Sequence, residues 1–298
     1  MGRLPSVWVP PVEVRELRAL GAHRQRLVKQ RTQTRNRLRG VLFAHNLFPP
    51  AGEAFGPANR SWWEGLDLPA SEKLRVRHDL TILDSLEPLV KGVDAELVRQ
   101  SSLAPWAEQA AFLVQLPGIG VQSAMQLLAA IGDIARFDAP HKLVGYAGLG
   151  ASVHSSGEEH YGGRITKHGR RDIRTTMVES AWVAVESHTY WKELFERLAA
   201  RVGRPKAIVA IARKMLVVVW HVLAKQVADR EAVAEQVAGK FLEWSWKLGR
   251  ANRHGLTSGA FIRRELCRLR LGNKVTAISR GKRKFPIPLS ESADQAVG

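Results

Sequence analysis

Two adjacent serines lie where a glycine-rich stretch meets a basic one. Ser155 and Ser156 belong to SVHSSGEEHYGG (152–163), and the following RITKHGRRDIR (164–174) contains five Lys/Arg and one Asp. Small residues beside the start of a basic helix can hold a phosphate and leave room for a hydroxyl nucleophile. The two serines are therefore candidate nucleophiles, although Ser-Ser-Gly on its own is more often a plain surface turn.

Two histidines flank these serines. His154 and His160 could act as a general base, but histidines in a glycine-rich loop are more often solvated. Glu158 and Glu159 are expected to be ordinary loop charges. The sequence contains no H-x-x-x-H pair, cysteine cluster or paired-Asp strand, so it predicts no metal site.

A second motif places a turn between two apolar helices. The segment FLVQLPGIGVQSAMQLL (112–128) predicts a helix ending at Leu116, a Pro-Gly-Ile-Gly turn and a new helix directly after it. Glycine permits positive φ, and the free amides at a helix start can bind a phosphate. This helix–hairpin–helix arrangement predicts phosphate contact at Gly118, Ile119 and Gly120; the alternative is a tight corner within a helical bundle.

The N-terminal helix carries a basic stripe. Residues 13–39 hold nine Lys/Arg against two Glu, and Arg31, Arg35 and Arg39 recur every four residues. No apolar residue occurs between Val28 and Leu38, so the stripe is not expected to lie against a core. We predict that it follows nucleic-acid phosphates; a solvated helix face is the alternative.

Helical periodicity dominates the chain. It predicts a mainly α fold, with a long, coiled-coil-like helical arm and a compact helical domain that contains the helix–hairpin–helix motif. Pro88 is expected to kink or end the second helix of the arm. Little strand is expected. The predicted parts are an extended, proline-containing N-terminal segment (1–11), the basic arm (12–105), the compact domain with the serine loop (106–228), a helical extension (229–271) and a basic, disordered tail (272–298).

The overall charge indicates a polyanionic partner. The chain has 298 residues, 45 Lys+Arg against 28 Asp+Glu and a formal net charge of +17, for which nucleic acid is the simplest partner. A single cysteine excludes an intramolecular disulfide framework. Charged residues interrupt the apolar stretch 207–227, which predicts a buried helix and no membrane span. The N-terminus lacks the features of a secretory signal, so a cytoplasmic, nucleoid-associated protein is expected.

Three blocks, in a fixed order, carry a resemblance to a known family. They are LPGIG (116–120), IGDIARF (131–137) and YAGLGASVHSSGEEHYGGRITKHGRRDIRTTMVESAW (146–182). These blocks resemble the C-terminal domain of insertion-sequence transposases of the one-ten type, which are DEDD recombinases that also include the Piv-like invertases. The resemblance is strong over residues 112–224 and extends more weakly through the N-terminal arm.

The resemblance implies a two-part enzyme that cuts and rejoins DNA. An N-terminal RuvC-like fold would hold Mg²⁺ through four acidic residues, and a helical arm and a small domain with a serine nucleophile would follow. The nucleophile maps onto Ser156, with Ser155 second, and a phosphoserine link to DNA would conserve bond energy. A structured guide RNA would bridge donor and target DNA, with dimers or tetramers on the DNA. The transferring phosphate would be neutralised by Arg164, Lys167, Arg170, Arg171 and Arg174.

One departure from the family bears on mechanism. No position in this sequence matches the acidic quartet, so we expect an N-terminally shortened transposase without its own Mg²⁺ site. Nucleic-acid binding is then predicted to be retained, and transposition by this polypeptide alone to be abolished or severely reduced. The alternative is a non-enzymatic, nucleic-acid-binding helix–hairpin–helix protein. A junction-specific nuclease is a third reading, and it would need the same acidic residues.

Overall fold

The computed structural model describes residues 8–156, 159–272 and 274–290, and within them the fold is mainly α, as the sequence predicts. Two separate pairs of antiparallel strands accompany the helices. The helices are α1 (Val12–Ala44), α2 (Arg60–Glu64), α3 (Ala70–Gln100), α4 (Trp106–Val114), α5 (Val121–Ile131), α6 (Pro140–Tyr146), α7 (Arg171–Ser187), α8 (Thr189–Val202), α9 (Arg204–Lys225), α10 (Ala234–Asn252) and α11 (Ser258–Arg268). The strands are β1 (Ala151–Ser156), β2 (Glu159–Ile165), β3 (Ala277–Arg280) and β4 (Arg283–Pro286).

The described residues form two compact units, and the smaller one, residues 19–96, is a helical arm. Ion pairs join Arg24 to Asp94 at 2.5 Å and Arg37 to Asp79 at 2.6 Å. As residue numbers increase along α1, the numbers of their partners on α3 decrease, so the two helices run antiparallel. Between them lies an apolar core formed by Leu38, Val41, Leu42, Phe55, Trp63, Leu66, Leu68, Val76, Leu80 and Leu83.

The second helix of the arm does not end at its proline. Of the two outcomes predicted for Pro88, a kink or an end, the end is wrong, because α3 continues through this residue to Gln100. On either side of the proline, Leu86 and Val90 are buried against Leu27 of α1. This packing offsets the backbone hydrogen bond that a proline removes from a helix interior.

The larger unit is built around α9. This helix packs against α4, α6, α7 and α8. By length and composition alone it could cross a membrane, but half of its apolar window is buried within the unit. The prediction of a buried helix is therefore confirmed. Its buried side chains are Ala207, Ile208, Ile211, Ala212, Met215, Leu216, Val219, Val222 and Leu223.

The C-terminal region contains the two helices predicted for residues 229–271, but the disorder predicted after them is wrong for the described residues of the tail. Helices α10 and α11 pack on each other, and the indole N–H of Trp244 donates to the hydroxyl of Ser101 at 2.9 Å. Residues 229–271 are thus part of the larger unit. Strands β3 and β4 then pair with each other within the region predicted to be disordered. Residues 291–298 of the predicted tail lie outside the described residues.

The serine segment forms strands where the sequence predicts a loop. β1 and β2 pair antiparallel, with a register irregularity between Ala151 and Val153. The glycines and serines here have low strand propensity, so the pairing could not be read from side-chain alternation. The segment is nevertheless a hairpin that pairs only with itself.

Candidate nucleic-acid interface

The two candidate nucleophiles lie near the turn of the β1–β2 hairpin. Ser156 is opposite Glu159, which is the last pair before the turn, and Ser155 is one pair further in. The side chains of residues 153–164 lie outside the described residues, and these include the serine hydroxyls, both flanking histidines and Arg164. The backbone register therefore fixes where the serines stand along the hairpin.

The other end of this hairpin is tied to the start of α7. Ala151 is opposite Ile165, and the backbone amide of Arg170 donates to the carbonyl of Tyr146 at 2.8 Å. Because a strand rises about 3.3 Å per residue, Ser156 lies about 17 Å along β1 from this base. The register thus separates the serines from the cations at the start of α7, which the resemblance assigns to the same phosphate.

The basic side chains at the hairpin base differ in their partners. The guanidinium of Arg170 donates two hydrogen bonds to Asp172, at 3.0 and 2.5 Å. Burial raises the pKa of the Asp172 carboxyl, but the hydrogen bond and the charge of Arg170 outweigh burial and leave that pKa below its usual value. Arg174 donates to a backbone carbonyl at 2.8 Å. Lys167 and Arg171 are exposed, so they are the cations most accessible to an incoming phosphate.

The two glycines of the turn between α4 and α5, which is the predicted helix–hairpin–helix turn, differ in the space around them. Gly118, at φ +74°, packs so closely on α7 that a Cβ there would overlap the carbonyl oxygen of Ser180. The side chain of Ile119 is fully buried, so the predicted phosphate contact at this position would have to come from its backbone. Gly120 is exposed at the N-cap of α5, and nothing lies within 4 Å of a Cβ built on it. A phosphate can therefore approach Gly120 and the free amides that follow it.

A lysine distant in sequence holds this turn in place. The Nζ of Lys240 donates to the carbonyl of Leu116 and, at 2.9 Å, to the carbonyl of Ile119. Burial lowers the pKa of Lys240 to about 7, and the charge of Glu243 only partly opposes that shift. The turn and Lys240 line a groove of about 670 Å³. Sequence reasoning missed this residue because no local pattern marks a contact made across 121 positions.

The arginine stripe of α1 is only partly free. Arg31 pairs with Glu87 at 3.4 Å, while Arg35 pairs with the same carboxylate at 3.0 Å and with Glu53 at 2.9 Å. The side chains of Arg31 and Arg35 are only 26% and 27% exposed, so ion pairs within the arm occupy part of the stripe, and its contact with phosphates stays a prediction. Arg39 is exposed. The spacing of four residues turns the stripe toward α3, where Glu87 lies.

Sequence reasoning also missed an ordered basic element, the β3–β4 hairpin. Arg280 is opposite Arg283, so the connection has two residues, Gly281 and Lys282. Gly281 has φ +58°. A two-residue connection that begins with glycine is a recognised hairpin signal, and it could have identified this element. The basic composition of the segment favoured disorder and hid the signal.

The residues that the structure describes do not fit a metal site. Across these ranges, no group of three or more His, Cys, Asp or Glu residues is arranged to hold a metal ion. Mg²⁺ is usually bound through carboxylates that share the ion with water and substrate. The described carboxylates that face α1, such as Asp79, Glu87 and Asp94, are instead paired with arginines.

Comparison with known proteins identifies a domain within the larger unit. Residues 110–196 match the family model described as "Transposase IS116/IS110/IS902 family". The matched range begins in α4 and ends in α8, so it contains the helix–hairpin–helix turn, the serine hairpin and the start of α7.

Several relatives are similar to the chain. The transposase for insertion sequence element IS1111A from Coxiella burnetii is 30% identical over 227 residues, which are 72% of this chain and 60% of the relative. A 43.6 kDa protein of insertion element IS110 from Streptomyces coelicolor is 30% identical over 113 residues (37% and 28%). The pilin gene-inverting protein of Moraxella bovis is 30% identical over 119 residues (39% and 37%). The chain spans about three-fifths of the length of the first curated relatives that it matches.

Proposed function

Through residues 110–196 the chain belongs to the IS116/IS110/IS902 family of transposases, and from that premise we propose that it acts in DNA transposition by binding DNA and presenting a serine nucleophile. The observation that carries the proposal is the position of Ser156, in the last strand pair before a hairpin turn and inside the matched range. Among the described residues, β1 and β2 pair only with each other.

The proposed reaction exchanges one phosphate ester for another. The Oγ of Ser156 attacks a phosphorus of the DNA backbone, and the bond from that phosphorus to one deoxyribose oxygen breaks. The serine proton passes to a base, and the freed sugar oxygen takes up a proton. A sugar hydroxyl of the joining strand then attacks the phosphoserine, which reseals the DNA and restores the serine. Ser155 is the second candidate for the same role.

The exposed cations near the hairpin base support DNA binding, but not at the reacting phosphate. Lys167 and Arg171 are exposed there, while Ser156 lies about 17 Å along the strand. That distance spans several phosphates, so we assign these cations, together with Arg164, to phosphates that flank the cleavage site. The amides after Gly120 supply a further contact of the same sequence-independent kind.

We further propose that the chain alone does not complete transposition. The described residues lack a cluster of carboxylates suited to Mg²⁺, and no step above is assigned to a metal. The family resemblance adds Mg²⁺, a structured guide RNA and assembly of several copies on DNA as predictions for the whole recombinase. A second candidate function is nucleic-acid binding without catalysis, which the formal net charge of +17 supports.

A chimera tests the serine assignment. The chain replaces the matching region of the Coxiella burnetii IS1111A transposase, and cells carrying that insertion element are lysed under denaturing conditions. Mass spectrometry of nuclease-treated peptides is expected to find a nucleotide on Ser156 in the chimera and no such adduct on the chain expressed alone.

Two single substitutions make this test specific. Ser156→Ala should remove the adduct, whereas Ser155→Ala, which changes the adjacent hydroxyl, should retain it. An adduct that survives Ser156→Ala and disappears with Ser155→Ala would transfer the role to Ser155. An active chimera whose adduct survives both changes would contradict the serine mechanism, and a chimera that binds DNA without any adduct would favour the non-catalytic function.

A further inference from the structure

The β3–β4 hairpin carries the most concentrated exposed charge among the described residues of the C-terminal region. Arg280, Lys282, Arg283 and Lys284 lie within five consecutive positions and are all exposed. Arg280 pairs with Glu243 at 2.7 Å. In the part of the chain that the structure describes, no carboxylate pairs with the other three cations, so three positive charges remain available on one small hairpin.

Hydrogen bonds and close packing hold this hairpin against α11 of the larger unit. The side chain of Arg263, on α11, is fully buried and donates to three backbone carbonyls that flank the hairpin. These acceptors are Pro288 and Val275, both at 2.6 Å, and Gly272. A Cβ at Gly259 would overlap the carbonyl oxygen of Pro286. Only glycine at position 259 therefore allows α11 to approach β4 this closely. A charged loop needed only for solubility would require no such anchor.

An exposed aromatic ring lies beside these cations. Trp246 of α10 is 45% exposed, and its ring contacts Phe285 of β4 edge to face, with 5.4 Å between the centroids. The guanidinium of Arg280 lies 5.4 Å from the centroid of the same indole. Cations next to an exposed aromatic ring are the combination by which proteins hold a single strand, since the cations bind phosphates and the ring stacks on a base.

We propose that the β3–β4 hairpin and Trp246 form a second nucleic-acid-binding surface, which holds a strand with unpaired bases. Lys282, Arg283 and Lys284 contact consecutive phosphates, and an unpaired base stacks on Trp246. This inference rests on the proposed function only in taking nucleic acid as the partner. The unpaired strand can come from DNA opened during strand exchange or from a loop of an RNA, and both present the same chemistry.

Binding by the full chain tests this surface. Fluorescence anisotropy is measured with a labelled single-stranded DNA, an RNA of the same sequence and the corresponding DNA duplex, from about 50 to 200 mM salt. All proteins carry Ser156→Ala, so strand cleavage does not enter the result. The variant with Lys282→Gln, Arg283→Gln and Lys284→Gln is compared with a control that removes the same charge from exposed positions, namely Lys192→Gln, Arg197→Gln and Lys206→Gln.

The hairpin variant should bind the single strands more weakly, with a slope of log K against log salt reduced by about 2. The control variant should change the slope by less than half of that. Trp246→Ala should lower single-strand affinity about tenfold and duplex affinity much less, and Trp246→Phe should restore most of the loss. A larger loss on RNA than on DNA would identify RNA as the natural strand.

Equal slopes for the hairpin and control variants would overturn the proposal, as would equal losses on single strand and duplex with Trp246→Ala. These outcomes are independent of the serine test. A chain without a serine adduct could still bind through the hairpin, and an active serine would remain compatible with failed hairpin binding.

Discussion

The two basic regions of the chain, the arginine stripe of α1 and the β3–β4 hairpin, use their cations differently. In the arm, Arg31 and Arg35 share the carboxylate of Glu87, so much of the local charge is neutralised within the fold. In the hairpin, Arg280 pairs with Glu243, whereas the cations at 282–284 are exposed and have no carboxylate partner among the described residues. Charge density along a sequence therefore does not measure the charge offered to a partner, because carboxylates about fifty residues away decide which cations are free.

The largest effect is expected from removing the hairpin's anchor. Arg263→Met removes a fully buried guanidinium and leaves three backbone carbonyls without its N–H donors, which should lower the free energy of unfolding by about 3 kcal/mol or more. The hairpin should then detach, so single-strand binding should weaken as well. Thermal unfolding followed by circular dichroism should show a Tm lower by about 6–12 °C.

Arg197→Met, on the exposed face of α8, provides the control for this change and should alter the Tm by no more than about 2 °C. Arg263→Met with an unchanged Tm would contradict the anchoring role. A lower Tm with unaltered strand binding would show that strand binding does not depend on the hairpin being held by Arg263.

The arm's stripe should matter less for binding than the hairpin does. The combined change Arg31→Gln, Arg35→Gln and Arg39→Gln removes three charges, but only Arg39 is exposed and free of a carboxylate partner among the described residues. We expect the salt slope of duplex binding to fall by about 1. A decrease as large as that of the hairpin variant would mean that the ion pairs with Glu87 open when nucleic acid binds.

Removing the shared carboxylate should convert the arm into a surface more like the hairpin. Glu87→Gln frees Arg31 and leaves Arg35 with Glu53 as its carboxylate partner, so duplex affinity at low salt should rise several-fold, at a cost of about 1 kcal/mol in stability. Glu64→Gln makes the same charge change at an exposed position of the arm and should raise the affinity much less. Equal gains in affinity for the two variants would show that the effect comes from net charge alone and not from the ion pairs of Glu87.

The smallest effect concerns the lysine beneath the helix–hairpin–helix turn. Burial lowers the pKa of Lys240 to about 7 in the folded chain, whereas its usual value is 10.5. Between these pH values the unfolded chain binds more protons at this site, so the contribution of Lys240 to stability rises with pH. The Tm of the wild type minus that of Lys240→Met should therefore increase by a few degrees from pH 7 to 9. A constant or falling difference would show that Lys240 stays charged in its site.

The helices and the family were accessible from the sequence. Apolar periodicity predicted the mainly α fold, and the LPGIG and serine blocks carried a resemblance that the family match over residues 110–196 confirms. The periodicity of apolar residues identifies the buried face of a helix from the local sequence alone, whichever element packs against that face. For this reason the buried α9 was predicted correctly.

The features that failed depend on tertiary contacts. Of the kink or end predicted at Pro88, the end was wrong, because Leu86 and Val90 pack on Leu27 and α3 continues. The predicted disorder was wrong over residues 274–290, because Arg263 of α11 binds backbone carbonyls on both sides of the β3–β4 hairpin. Each error treated a residue by its local chemistry when a contact distant in sequence decided its role.

One measurement tests directly whether free cations, and not cation density, define the nucleic-acid surface. Ultraviolet light cross-links the full chain to a labelled single strand, and mass spectrometry maps the modified peptides. The account predicts nucleotide adducts at Trp246 and within residues 274–290, and few within residues 31–39. Adducts concentrated on the arm, with the hairpin and Trp246 unmodified, would contradict it.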